Sequence, residues 1–142
     1  MTSSAANRET VDQSIAAEAH TCDTTDFNVA RYLTAVARNM PQAVAIAAPL
    51  KHDASGRRQY AQISFAQLEH DSHLVAAGLR SLGVETGIRL ALLVRPGIDF
   101  ITLVFGLFKA GAVSILIDPG MGRKNTLRCL AEVEPHGFVA IA

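Results

Sequence analysis

Residues 89–119 read RLALLVRPGIDFITLVFGLFKAGAVSILIDP, and the rest of the chain can be organised around this stretch. Arg89 to Val94 and Val113 to Ile117 are short apolar runs without polar alternation, as expected of strands buried on both faces. Between them, Ile98 to Ala110 is apolar nearly all round and long enough for a buried helix. The segment from Ile98 to Ile117 approaches the span of a bilayer, at about twenty residues. It nevertheless contains Asp99, Gly106, Lys109 and Gly111, and the glycine after Lys-Ala divides it into a helix of ordinary length and a strand. The expected unit is therefore strand, helix, strand, with no transmembrane segment.

Towards the C-terminus the pattern repeats, with a helix expected from about Arg123 to Val133 and a strand over Phe138 to Ile141. The order β-α-β-α-β with apolar strands predicts a mostly parallel sheet covered by helices. The last strand has no helix or polar segment after it, which suggests a truncated domain.

Towards the N-terminus, Ser64 is placed to cap a helix, Gln67 completes a capping box and Gly83 supplies a left-handed stop. Phe65, Leu68, Ser72, Val75, Ala76, Leu79 and Leu82 share one face of that helix, and His70 points the other way. Ala43 to Ala48 and Tyr60 to Ile63 predict a short hairpin around an exposed turn at Lys51 to Arg58. Asn28 can cap a preceding helix carrying Val29, Leu33, Val36, Ala37 and Met40, which ends at Pro41. Residues 1–26 are rich in Ser, Thr, Ala and Asp and read as a flexible leader, with a short Ile15 to Ala19 helix as an option. Residues 27–142 form the expected folded unit.

Composition narrows the functional classes. The 142 residues are 49% hydrophobic and 18% charged, with 13 basic and 13 acidic residues. One globular domain fits that length, and zero net charge gives no global field directed at nucleic acid or an anionic membrane. Up to Asp26 the chain carries Arg8 against Glu9, Asp12, Glu18, Asp23 and Asp26, a net of −4, which leaves +4 on the rest. That balance suits an anionic ligand, and scattered surface cations explain it equally well. Cys22 and Cys129 lie far apart without CxxC spacing, so neither a disulfide framework nor a zinc site is suggested. With no basic and apolar secretory leader, a cytoplasmic protein is expected.

In open parallel sheets, ligands bind beyond the carboxyl ends of the strands. The loops of interest are Arg95-Pro96-Gly97 and Asp118 to Asn125. In the second, glycines and a helix start could turn amides towards an anion, with Arg123 and Lys124 adding charge. Its spacing matches neither GxGxxG nor GxxxxGK[ST], so the alternative is a tight turn with two solvated cations. A binding module using Gly120 to Asn125 for an anionic ligand is the second functional reading. His70, Asp71 and His73 have partial metal-ligand spacing but read as a solvated helix face, because no third His or Cys follows at matching spacing. Asp99 is placed to interact with its own helix N-terminus, and Asp118 before Pro119 reads as a turn former. Ser114 lies in a strand without the GxSxG elbow, so a hydrolase is rejected.

Two segments resemble the AMP-forming adenylating enzymes, a family that includes acyl-CoA synthetases, firefly luciferase and peptide-synthetase adenylation domains. Ile63-Ser64-Phe65-Ala66-Gln67-Leu68 resembles the family's "LTYxEL" motif. Leu107-Phe108-Lys109-Ala110-Gly111-Ala112, with Val113 to Pro119, resembles "LKAGxAYVPID". Ala77-Gly78-Leu79, Gly83-Val84 and Arg89-Leu90-Ala91 between them are similar to "AxxLxxxGVxxGDRVAL". The likeness covers about Phe27 to the C-terminus. Asp118 to Asn125 departs from common acyl-CoA synthetases and is similar to the olefin β-lactone synthetases of bacterial long-chain hydrocarbon biosynthesis.

The resemblance implies the N-terminal portion of an adenylation domain. It implies a ligase in which a fatty or β-hydroxy fatty acid attacks the α-phosphate of ATP, pyrophosphate leaves, and the acyl-AMP is captured as a thioester or a β-lactone. Mg²⁺ and cationic groups would offset phosphate charge. The partners it implies are a carboxylic acid, ATP and the missing downstream part of the same domain, with no nucleic acid. The family's phosphate loop, nucleotide contacts, hinge and catalytic lysine have no matching positions here. No catalytic, cofactor-binding or metal residue is therefore carried over, and neither ATP nor Mg²⁺ is expected to bind this chain tightly.

Overall fold

The computed structural model describes residues 28–140. The expected leader, the Ile15 to Ala19 helix and Ile141 lie outside the described residues. The elements run α1 (Ala30–Asn39), β1 (Val44–His52), β2 (Arg58–Ser64), α2 (Phe65–Ser81), β3 (Arg89–Leu93), α3 (Ile98–Ala110), β4 (Val113–Leu116), a 3₁₀ turn (Pro119–Met121), α4 (Arg123–Val133) and β5 (Gly137–Ala140).

Local chemistry accounts for most boundaries. Asn28 Oδ1 accepts from the Ala30 amide at 3.0 Å, while its Nδ2 donates to the Phe108 carbonyl at 2.6 Å. One side chain thus caps α1 and ties it to α3. The Gln67 amide donates to Ser64 Oγ at 3.2 Å, as expected for the start of α2. At the other end, the Gly83 amide donates to Arg80 O and the Val84 amide to Leu79 O. These paired bonds form a Schellman stop, with Gly83 at φ +84°.

The hairpin is longer than the apolar runs suggest. β1 and β2 pair antiparallel with irregularities between Val44 and Ile46 and between Pro49 and His52. Lys51, His52 and Arg58, expected in the turn, belong to the strands. The turn closes on Asp53, whose Oδ1 accepts from the Ser55 amide at 2.8 Å, Ser55 Oγ at 2.6 Å and the Arg57 amide at 3.0 Å. Exposed side chains carried the hairpin beyond its apolar part because backbone pairing and this Asx-type turn need no burial.

The second sheet is parallel with order β4-β3-β5. Leu90 pairs in register with Ser114 on one side and Gly137 on the other. The step from β3 to β4 therefore runs opposite to the step from β4 to β5. Right-handed crossovers consequently place α3 and α4 on opposite faces of the sheet.

The core lies on the α3 face. Leu90, Leu107 and Ala112 are buried together, with Leu79, Val84, Ile88 and Val139 packed around them. Leu68, Ser72 and Ala76 are the buried residues of α2, and Ser72 Oγ is satisfied by Leu68 O at 2.6 Å. Leu82, expected on the same stripe, is exposed because it follows the last helical residue and turns away with the Schellman stop. α2 and α3 approach closely at Gly106, where an added Cβ would lie 2.7 Å from Val75 Cβ. No described helix is long and apolar enough to cross a membrane.

Candidate functional site

Lys109 sits in the last turn of α3, with its side chain only 9% exposed. Its Nζ donates to Glu69 Oε2 at 2.7 Å and to the Glu69 carbonyl at 3.0 Å. Glu69 Oε1 in turn accepts from Thr34 Oγ1 at 2.9 Å. The Arg80 guanidinium donates to the Lys109 carbonyl, and Gly111 ends the helix at φ +78°. Lys109-Ala110-Gly111 thus joins α1, α2 and α3, and its charge is spent inside the protein. No residue pattern marks Glu69 as its partner, because the two are forty residues apart and meet only through helix packing.

Arg89 has a comparable role at the start of β3. Its Nε and Nη2 donate to the carbonyls of Val133 and Glu134 at 3.0 to 3.3 Å. The Arg89 amide donates to His136 Nδ1 at 3.0 Å, and Arg89 O accepts from the His136 amide at 2.8 Å. A cation therefore satisfies the carboxyl end of α4, where the dipole favours it. Both residues belong to stretches that resemble family motifs, and both are anchors between elements.

The loop from Asp118 to Asn125 is the other site singled out in the sequence. Asp118 Oδ1 accepts from the Gly120 amide at 2.8 Å, and the Met121 amide donates to Asp118 O at 3.2 Å. Asn125 Nδ2 donates to Met121 O at 3.0 Å, and the amide and hydroxyl of Thr126 both use Gly122 O. The Asp118 carboxylate thus takes the Gly120 amide, and its backbone carbonyl takes that of Met121. Arg123 and Lys124 are exposed at the start of α4. The geometry thus favours the turn over a phosphate cradle, and Asp118 forms the turn as its place before proline suggests.

His70 and His73 are exposed and line a groove of about 470 Å³ between α1 and α2, together with Thr34, Ala37, Arg38, Ala66, Glu69 and Leu74. Among the described residues, no group of three or more His, Cys, Asp or Glu is placed to hold a metal ion. Cys129 is a free, partly buried thiol, and Ser114 is partly buried within β4. Asp99 lies in the first turn of α3.

Topology identifies a feature that residue patterns alone could not. β3 and β5 are neighbours, and the connections leading from β3 and into β5 lie on opposite faces. The Arg95-Pro96-Gly97 loop follows β3, the central strand of the described sheet, at the carboxyl end where ligands bind in open parallel sheets. Apolar runs alone do not specify that central place.

The AMP-binding enzyme family model matches residues 33–141. The chain belongs to the AMP-binding enzyme family. It is 40% identical over 119 residues to an olefin beta-lactone synthetase of Xanthomonas campestris, covering 83% of this chain and 21% of that protein. A second olefin beta-lactone synthetase, from Stenotrophomonas maltophilia, is 39% identical over 116 residues, covering 80% and 21%. In fold, the chain is similar to a fatty acyl-adenylate ligase of L. pneumophila solved with acyl adenylate and pyrophosphate. The TM-score is 0.69 at 22% identity, over 80% of this chain and 19% of that one. The chain thus spans about a fifth of the length of the relatives it matches.

Proposed function

We propose that the chain is the N-terminal portion of an ATP-dependent, AMP-forming carboxylic-acid ligase that activates a fatty or β-hydroxy fatty acid as its acyl-AMP. The observation that carries this reading is the 40% identity to an olefin beta-lactone synthetase, sustained over 83% of the chain. Capture of the acyl-AMP as a thioester or a β-lactone, with Mg²⁺ offsetting phosphate charge and a cytoplasmic location, completes the proposal.

The described residues do not fit ATP or Mg²⁺. The Gly120 amide is spent on Asp118, Lys109 is spent on Glu69, and no acidic cluster is assembled. No chemical step is assigned to residues of this chain. Its contribution to the ligase is a packing unit: three helices locked by Lys109 and Asn28, beside a parallel sheet with β3 at its centre.

The test is ATP–pyrophosphate exchange with fatty and β-hydroxy fatty acids. The 142-residue chain alone is expected to give none, while a longer product of the same reading frame gives acid-dependent exchange. Clear exchange by the short chain would overturn the reading of its role, and no exchange by the longer one would overturn the ligase assignment.

A further inference from the structure

We infer that the groove between α1 and α2 is the docking site of this chain's own N-terminal segment, Val11 to Cys22. The two helices meet where Thr34 donates to Glu69, and the groove of about 470 Å³ includes both residues in its wall. Ala37, Ala66 and Leu74 give it an apolar lining, and Leu74 is 59% exposed. Arg38, His70 and His73 line it as well and are exposed. Its lining carboxylate, Glu69, is already held by Lys109 and Thr34. Arg38 has no carboxylate partner among the described residues. The groove therefore offers an apolar strip, an unmatched guanidinium and two imidazoles with ring N–H donors. Its complement is an apolar segment bordered by carboxylates.

The stretch that precedes α1 has that pattern. Residues 1–26 carry a net charge of −4 against +4 on the rest. At helical spacing, Val11, Ile15, Ala19 and Cys22 fall within about 80° of one another, and Glu18 and Asp12 border the two sides of that stripe. Gln13 and His20 fall opposite. An amphipathic helix laid by its apolar face into a groove is a recurrent mode of recognition.

The chain also places this segment within reach. Asn28 caps α1, and Thr34 lies about 9 Å further along the helix. Residues 23–27 connect Cys22 to Asn28 and can extend to about 17 Å. The segment can therefore double back antiparallel to α1. With Cys22 level with Thr34, Glu18 is level with Arg38, each four residues further from the connection. Tethering supplies an effective concentration of about a millimolar, so weak contacts suffice to fill the groove.

Cys22 lies on the docking stripe and reports occupancy in the unsubstituted chain of 142 residues. Its alkylation by iodoacetamide is read by mass spectrometry of the Cys22 peptide, which separates it from Cys129. The reaction is expected to be about fivefold slower than in a synthetic peptide of residues 8–26, as for a segment docked most of the time. Arg38→Glu and Leu74→Glu should each bring the ratio down to about twofold or less, by opposing Glu18 and by charging the apolar strip. Adding Glu18→Lys to Arg38→Glu should restore most of the protection. Arg57→Glu with Arg58→Glu, at the cationic end of the hairpin, should leave it unchanged. Circular dichroism checks that each variant keeps its fold. Should a groove variant unfold, amide exchange of the unsubstituted chain gives the answer, with Ile15 to Cys22 expected to exchange about fivefold slower than in the peptide.

Alkylation and amide exchange as fast as in the peptide would overturn the assignment. So would protection that survives both groove variants, that is lost in the hairpin variant, or that Glu18→Lys fails to restore. Protection that falls on dilution would mean that a second copy supplies the segment, and would overturn it too.

Discussion

At the scale of single residues, the most consequential charge is Lys109, whose ammonium group is withdrawn from solvent and held by a carboxylate that also binds Thr34. Removing one partner of such a pair leaves the other charge desolvated, which costs more than the pair itself contributes. Glu69 is 24% exposed, so solvent screens part of that cost. Lys109→Met is expected to destabilise the chain by about 2 kcal/mol, measured by urea unfolding. Adding Glu69→Gln should recover about half of the loss, because the amide oxygen can still accept from Thr34; no recovery would show that the stem packing of Lys109, and not its charge, matters. Asp53 makes an opposite kind of contribution, on a fully solvated turn. Hydrogen bonds from the Ser55 side chain, and then from the Arg57 backbone, hold its carboxyl below the ordinary aspartate value of 3.8. A carboxyl depressed in the folded state favours folding above the unfolded value and loses that advantage as pH falls through the folded one. Carbon-detected NMR titration should therefore place the Asp53 midpoint below 3.8, and Ser55→Ala should raise it. A midpoint unchanged by Ser55→Ala would contradict this account.

At the scale of elements, two helix-ending glycines separate conformational from steric requirements. Gly83 and Gly111 both have left-handed backbones, at φ +84° and +78°. An added Cβ meets nothing within 4 Å at Gly83, but lies 2.7 Å from Thr86 Oγ1 at Gly111. Gly83→Ala should cost about 1 kcal/mol, the ordinary left-handed penalty. Gly111→Ala should cost about 2 kcal/mol or more, since overpacking is added to strain. Thermal melts of the two variants measure the difference, and equal losses would show that Thr86 rotates away without cost. These same stops explain how much of the fold was legible. Ser64, Gly83 and Gly111 act through near neighbours in the chain, so the beginning of α2 and the ends of α2 and α3 could be read directly, as could the strand–helix–strand unit. The length of the hairpin could not, because exposed backbone pairing leaves no apolar trace. The side-chain partners of Lys109 and Arg89 were equally hidden, since both contacts span forty or more positions and form only when the elements pack. The Asp118 loop was visible as a turn, but the use of its Gly120 and Met121 amides by Asp118 could be read only from the hydrogen bonds.

At the scale of the whole molecule, stability is concentrated on one side of the parallel sheet. α2, α3 and the α3-facing side of β3 contain most of the buried residues, including Leu68, Ser72, Ala76, Leu92 and Leu107. α4 buries none, and its exposed Arg128–Glu132 pair, at 3.0 Å, is of the kind that contributes a few tenths of a kcal/mol. Its attachment is instead local, through the Arg89 guanidinium on the carbonyls of Val133 and Glu134 and through two bonds of the Arg89 backbone, one to the His136 imidazole and one to the His136 amide. Amide exchange should follow this division. Helices with few buried apolar contacts open locally at low free energy, whereas core amides exchange only through larger openings. Amides of α4 from Thr126 onwards should exchange at least a hundredfold faster than those of the central turns of α2 and α3, a gap of about 3 kcal/mol in opening free energy. Arg89→Met should widen that gap by accelerating α4 and leaving Leu68 and Leu107 nearly unchanged, because the guanidinium holds the carboxyl end of α4 and touches neither core helix. Exchange of α4 as slow as that of α2 in the isolated chain would contradict this division, and would mean that α4 is held by more than its contacts with Arg89.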